Sequence, residues 1–387
     1  MRTTRLIFLV VLLAGLTLSA CGQSSSSPPV KRAHSRWTIQ TSLKSGARLV
    51  GISCPSDTFC VAGDGNTVKQ TNDGGKTWTV DRVAASYSVY DESCAANYVC
   101  RGIGSRGGNY IYFLSEVSGS TWVPVSGKIA EQGVVGVDAI SCPSTSECVA
   151  VGAAAPGGNA NHYPVWTSSN LSATGTSQVS IWKRSEISFP NLGITGGLQA
   201  VSCPSARVCY TVSDFYQDGA AFFKSSSGGA SWRPVAIKHV AKLSTASLES
   251  LTFKSVSCPT SEACTLVGLT RSNDLFILQT KDGGTSWRWT VELGARGPSF
   301  NGRSPIVSCA SAAVCVVVDN YTTFLTANGG EKWVNEYEPR ADGLIESLSC
   351  PTSRECFATA SRVVLINDAV ASLGAGRILT FSEVPSP

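Results

Sequence analysis

An all-β fold built from one repeated four-stranded unit is what the sequence predicts, and three observations carry it. A cysteine hairpin, typified by Ser53-Cys54-Pro55-Ser56-Asp57-Thr58-Phe59-Cys60, returns seven times with its cysteines six positions apart. A Gly-Gly turn followed by tryptophan, clearest at Thr71-Asn72-Asp73-Gly74-Gly75-Lys76-Thr77-Trp78, alternates with it. Short apolar and β-branched runs without a sustained helical period fill the intervals. Ser247–Lys254 is the nearest thing to a helix.

The hairpins pair Cys54 with Cys60, Cys94 with Cys100, Cys142 with Cys148, Cys203 with Cys209, Cys258 with Cys264, Cys309 with Cys315 and Cys350 with Cys356. First cysteines recur every 40 to 61 residues. Four strands fit such a unit: one ending at the first cysteine, one starting at the second, one entering the Gly-Gly turn, one leaving from the tryptophan. Repeats of this length and strand number are propeller blades, so a seven-bladed β-propeller is predicted over 37–387. Cysteines flanking a five-residue turn face each other across an antiparallel hairpin, which predicts one disulfide per blade. Each would contribute about 2 kcal/mol by loop closure. The role is structural, because nothing activates one thiol over its partner. Metal binding is disfavoured: the spacing is wrong for a zinc site, and the three histidines, His34, His162 and His239, are scattered.

The turn carries its own chemistry. Asp-Gly and Asn-Gly supply the positive φ that a tight turn needs, and the acidic or amide side chain can bond backbone N–H groups within it. Asp73, Gly75 and Trp78 make one good copy, and Asp282, Gly284 and Trp287 the other. Gly229 with Trp232 and Gly330 with Trp333 belong to looser copies; the third repeat, with Trp166 and Trp182, is degenerate.

The ends fit a closed ring. The last repeat runs on through Val363-Val364-Leu365-Ile366 with no tryptophan, yet Trp37 precedes Cys54 by 17 residues, as Trp333 precedes Cys350. The Trp37 segment is therefore favoured as the outer strand of the last blade, with Arg377-Ile378-Leu379-Thr380-Phe381 as the alternative.

Upstream, Arg2 and Arg5 precede an apolar stretch, Leu6–Leu18, too short to span a bilayer. It ends in Leu18-Ser19-Ala20-Cys21, which resembles a bacterial lipoprotein signal: 1–20 would be removed and Cys21 acylated. Residues 21–36 are rich in serine and proline and read as a tether, with a reach of roughly 20 Å. The expected location is extracytoplasmic, at a membrane through the lipid. Losing Arg2 and Arg5 lowers the formal charge from +4 to +2, which leaves no electrostatic footprint for nucleic acid.

The tryptophan turns resemble Asp-box (BNR) repeats, and the chain from Trp37 is similar to photosystem II stability/assembly factor-like and sialidase-like propellers. The resemblance implies that the box residues are structural and carry no activity. A cysteine pair in every repeat departs from both groups. The parts of a sialidase are not assembled: no Arg-Ile-Pro stands in the first repeat, which offers Arg48-Leu49-Val50, and no arginine cluster can be matched.

Function is then expected in the variable connections on the face away from the hairpins. His162, Tyr163, Phe215, Tyr216, Arg271, Arg296 and Arg303 are the candidate binding rim, within connections such as Gly152–Tyr163 and Gly294–Ser304. The expected role is a monomeric, non-catalytic scaffold for a protein or glycan partner, with no cofactor. A glycan-binding module and a sialidase-like glycoside hydrolase are the alternatives; carboxylates and arginines converging at the ring centre would favour the enzyme.

Overall fold

The computed structural model describes residues 37–42, 49–63, 65–107, 110–117, 121–125, 129–131, 136–153, 162–169, 182–188, 197–217, 220–237, 240, 251–292, 304–319, 322–337, 344–366 and 369–382. Among them every regular element is a strand. The stretch read as nearest to helix resolves, over its described part, into the strand Thr252–Ser257.

The fifth repeat shows the unit. Thr252–Ser257 runs to the first cysteine, Cys264–Leu269 leaves from the second, Leu275–Thr280 enters the turn and Arg288–Glu292 follows the tryptophan. Each strand pairs antiparallel with the next. All seven predicted disulfides are present, with Cα separations of 4.0–4.2 Å across the hairpins.

Among the described residues five sheets result, three of four strands and two of eight. The eight-stranded sheets join neighbouring repeats by short links. One is the pairing of Phe215 with Thr252; the other is a parallel contact between Thr79–Val83 and Thr121–Pro124. In the last sheet the order is Thr38–Ser42, Ala369–Ser382, Glu355–Ile366, Leu344–Ser349. Thr38 pairs with Thr380 and Ser42 with Arg377. The segment after Trp37 thus takes the outer position, and Arg377–Phe381 lies one strand further in.

Among the described residues seven apolar clusters form the core, and each straddles two successive repeats. Val61 and Val68 meet Val89 and Trp122 at the first junction; Tyr210 and Phe222 meet Phe253, Phe276 and Trp287 at another. Trp37 packs where the sixth repeat meets the seventh, and Phe357 of the seventh packs on Leu49 and Ile52 of the first. Apolar faces therefore pair without a free end. Each buried side chain of this size contributes about 1.5–3 kcal/mol.

A cycle of hydrogen bonds follows the same path. The serine before each first cysteine accepts a bond from the first-cysteine amide of the next repeat. Cys94 N donates to Ser53, Cys142 N to Ser93, Cys203 N to Ser141 and Cys258 N to Ser202. Cys309 N donates to Ser257, Cys350 N to Ser308, and Cys54 N to Ser349, all at 2.9–3.1 Å. The last bond returns to the first repeat. The first strands therefore stand side by side around a common centre, and their inner edges are hydrogen-bonded through serine hydroxyls.

Candidate binding site at the ring centre

The inner strands show which side chains face that centre. The residue after the first cysteine and the residues two and four places before that one are half-buried, Gly51 excepted; the positions between are mostly buried. This period-two alternation gives a lumen with layered walls. The layer after the cysteine is Pro55, Ala95, Pro143, Pro204, Pro259, Ala310 and Pro351. The next is the seven serines. Both levels carry small side chains.

Chemistry concentrates one step further, away from the hairpins. Four inner strands carry a β-bulge at one position, four residues before the first cysteine. Tyr90, Gln199, Lys254 and Glu346 are the extra residues, since the register skips them. A bulge re-aims its side chain and interrupts the alternation. Asp138 holds the equivalent position in the third repeat and is exposed. Gly104 and Gly268, on the facing second strands, make room: an added Cβ would collide with the carbonyls of Ser88 and Thr252.

Around this mouth the second and third repeats form an acidic arc. Asp91 Oδ2 accepts a bond from Ile140 N at 3.1 Å, which fixes the carboxyl at the junction. Burial raises the Asp91 pKa to about 7, and Asp138 adds to the rise. Tyr90 is pushed above its ordinary value by burial and by the charges of Asp138 and Asp91, so the three groups lie within electrostatic reach.

Glu92 stands where the other repeats place Ile52, Ile140, Val201, Val256, Val307 and Leu348. It is 5% exposed. Its Oε1 accepts a bond from Gly63 N at 3.0 Å, and its Oε2 has no partner. Gly51, an inner-strand residue, has no side chain, and a Cβ there would come 2.5 Å from Oε2. The carboxyl thus fills the place of a first-repeat side chain. Burial first, then Asp91, raises its pKa to about 8. Among the described residues no three histidine, cysteine or acidic side chains gather closely enough to hold a metal ion.

The opposite face is built from turns. The Gly-Gly turn of a repeat docks on its own cysteine hairpin: Gly74 N donates to Thr58 O, Gly228 N to Arg207 O, Gly283 N to Glu262 O and Gly329 N to Ala313 O. Within the turn, Thr280 Oγ1 accepts from Gly284 N and donates to Asp282, whose carboxylate accepts from Ser286 N and Oγ. These bonds, Ser286 foremost, hold the Asp282 pKa at about 2; Thr77 does the same for Asp73. Trp78, Trp232 and Trp287 each donate Nε1–H to the carbonyl of the second glycine, Gly75, Gly229 and Gly284. In the fourth copy Thr326 bonds Gly330 N, while Trp333 Nε1 has no partner. Hairpins and turns therefore lie on one face.

The predicted rim is redistributed. Tyr163 is 4% exposed and packs with Val149, Val165 and Leu198, so it is a core residue and not a rim residue. His162 and Phe215–Tyr216 lie in strands, His162–Ser168 and Cys209–Gln217, and not in loops; their side chains lie outside the described set. Arg271 is exposed in a turn closed by Thr270 N to Asp274 O. Arg296, Arg303 and Cys21 lie outside the described residues. Sequence reasoning missed Tyr90, Asp91, Glu92 and Asp138. For Asp91 and Glu92 the signal was a departure from the repeat, acidic side chains where sister copies carry small or aliphatic ones; at the position of Tyr90 and Asp138 the repeats vary freely and gave none.

No family model and no curated protein matches the chain. Solved structures do. A structure titled "YCF48 bound to D1 peptide" is 12% identical, with a TM-score of 0.57 over 90% of this chain and 97% of that one. YCF48 from Cyanidioschyzon merolae is 13% identical, with a TM-score of 0.56 over 89% and 98%. A chain of a mitotic checkpoint complex gives 11% and 0.52, over 95% and 99%. Likeness at these identities is likeness of fold. The chain is a β-propeller.

Proposed function

We propose that this protein is a seven-bladed β-propeller, lipid-anchored outside the cytoplasm, that acts as a monomeric, non-catalytic scaffold gripping a segment of a partner protein at its polar mouth. The observation that carries the reading is the placement of chemistry. The bulges of four inner strands and the buried carboxyls of Asp91 and Glu92 fall at one end of those strands, away from the hairpins. Seven blades are favoured by the seven-membered cycle of serine bonds and by the seven inter-repeat clusters. The Thr-Asp-Gly-Ser bonding of the turns favours the Asp-box reading, with Asp73, Asp282 and the tryptophans as structural parts.

Seven disulfides suit an oxidising compartment. Acylation at Cys21, with 21–36 as tether, rests on the sequence. A protein segment is the proposed occupant because a similar fold is described with a peptide bound. Variable loops, with Arg271, Arg296 and Arg303 among them, would extend the contact around the mouth.

The test is photo-cross-linking in cells from a reactive residue placed at Gln199, with Lys332 on the turn face as control. One recurrent partner captured from Gln199 and not from Lys332 supports the scaffold. Cys21→Ala should move the protein out of the membrane fraction; continued retention removes the lipid anchor. A second reading, glycoside hydrolysis, is favoured by one observation, the Asp91 carboxyl with a pKa of about 7 beside Asp138. Cell-wall glycan captured in place of protein, with turnover lost in Asp138→Asn, would establish it.

A further inference from the structure

The second and third strands of the seventh repeat outrun the rest of their sheet. Glu355–Ile366 pairs with the inner strand only as far as Ser361, opposite Leu344, and Ala369–Ser382 pairs with Thr38–Ser42 only back to Arg377. Beyond those points the two pair with each other, Val363 with Leu373, Val364 with Ser372, Leu365 with Val370 and Ile366 with Ala369. Glu355 precedes Cys356 at the hairpin face, so this two-stranded ribbon projects at the mouth. We infer that it binds an extended segment of the partner protein as an added β-strand, along the edge of 363–366 on the side of the inner strand. The inference rests on the scaffold reading and specifies how the mouth grips its ligand.

The other long ribbons of the molecule show what such an edge takes. In the second repeat, Tyr87–Ala96 follows Val99–Arg106 to its end, and Ala130–Glu131 pairs with Ile111 and Tyr110. In the fourth, Cys209–Gln217 runs past its own inner strand, and Phe215 pairs with Thr252 of the next repeat. Each extension is covered by a strand. Among the described residues the seventh has a strand on neither edge. Unpaired N–H and C=O groups along an edge are a template for a further strand.

Register selects the edge. Both irregularities put their extra residues on Ala369–Ser382, at Ala371 and within 374–375, which breaks the outer edge; 363–366 is continuous. It also lies over the mouth, in line with the inner strand. Sequence sets the occupant's character. All four residues at 363–366 and four of the five at 369–373 are apolar, and neither strand carries a charge between Arg362 and Arg377. An uncharged edge rich in β-branched residues suits a segment whose own apolar residues alternate. A lipid surface is disfavoured, because open edges leave N–H and C=O groups unsatisfied in hydrocarbon, and Asn367 and Asp368 link the two strands in the chain.

The experiment places a photo-reactive residue at Val364 in cells, beside the Gln199 and Lys332 positions. The cross-linked partner peptide is sequenced, synthesised and added to the exported, oxidised chain. A copy N-methylated at four consecutive central residues, which lacks edge donors, is the control. The synthetic segment is expected to slow amide exchange at 363–366 by at least about tenfold, and the N-methylated copy to leave it unchanged. Replacing 362–375 by Asn-Gly closes Ser361 onto Gly376 as a tight hairpin and should weaken the segment's binding at least about tenfold, with the disulfides retained. Val364→Lys combined with Ile366→Lys is the milder variant and should act in the same direction. Slow exchange at 363–366 in the free protein, capture of a second copy of this chain or of lipid from Val364, or undiminished binding to both variants overturns the inference. Capture from Gln199 with none from Val364 leaves the scaffold standing without its strand site; capture from neither removes both.

Discussion

Glu92 ties the site to stability. Its carboxyl is protonated in the fold up to about pH 8, against an ordinary value of 4.5. Between those values the native state holds a proton that the unfolded chain has released. Stability is therefore fully present below about pH 4.5 and falls as pH rises toward 8. Asp91, raised to about 7, acts in the same direction. Thermal melting from pH 5 to pH 9 should show this decline, and Glu92→Gln should flatten it while keeping the acceptor for Gly63 N. An unchanged slope would place the titration elsewhere. Gly268 gives a steric counterpart: Gly268→Ala should destabilise by about 1–3 kcal/mol in chemical denaturation, because the Thr252 carbonyl occupies the added Cβ position.

At the scale of the element, the turn and the inner strand divide the work. In the turn, Thr280 supplies the hydroxyl that satisfies the buried Gly284 N–H, so Thr280→Val should cost about 1–3 kcal/mol. NMR titration of the Asp282 carboxyl should give a midpoint near pH 2 in the parent, and a higher one in Ser286→Ala, since Ser286 is the main cause of the depression. On the inner strand, Ser202→Ala frees the Cys258 amide toward the lumen, where water can take it. The expected cost is about 1 kcal/mol, and nearly additive with Ser349→Ala.

Turns and hairpins were legible in the sequence because their bonds are local. Thr71, Asp73, Gly75 and Thr77 lie within seven consecutive positions. The serine cycle was not, although a serine precedes all seven first cysteines. Its partners stand 41 to 62 residues apart along the chain, and 295 at the closing bond. Tyr163 was misplaced for a related reason. In the sequence it borders a Gly/Asn-rich connection, but its strand is covered on both faces by the neighbouring repeats.

For the whole molecule, closure is the decisive feature. Trp37 donates Nε1–H to Thr323 at 3.0 Å, and the strand that follows completes the sheet of the last repeat. Removing 37–42 should expose the edge of Ala369–Ser382 and leave a gap in the cluster around Val316, Val318 and Ile345. Lower thermal stability and concentration-dependent association in sedimentation are expected; an unchanged monomer with unchanged melting would show that the clasp is dispensable. The hairpin repeat and the outer place of the segment after Trp37 could be read from spacing, because both follow from the intervals between cysteines and tryptophans. The mouth could not, because bulge positions depend on how strands are paired.

The same clasp sets a timetable. Thr38 belongs to the first of the described strands to leave a ribosome, and its partner Thr380 to the last. Each cysteine pair spans only six positions and can oxidise as its hairpin emerges. A nascent chain would therefore accumulate finished, stapled repeats while its opening strand waits unmatched. The last sheet is completed only once Ala369–Ser382 has emerged, so a chain truncated before it would keep its disulfides and leave Thr38–Ser42 without a partner strand.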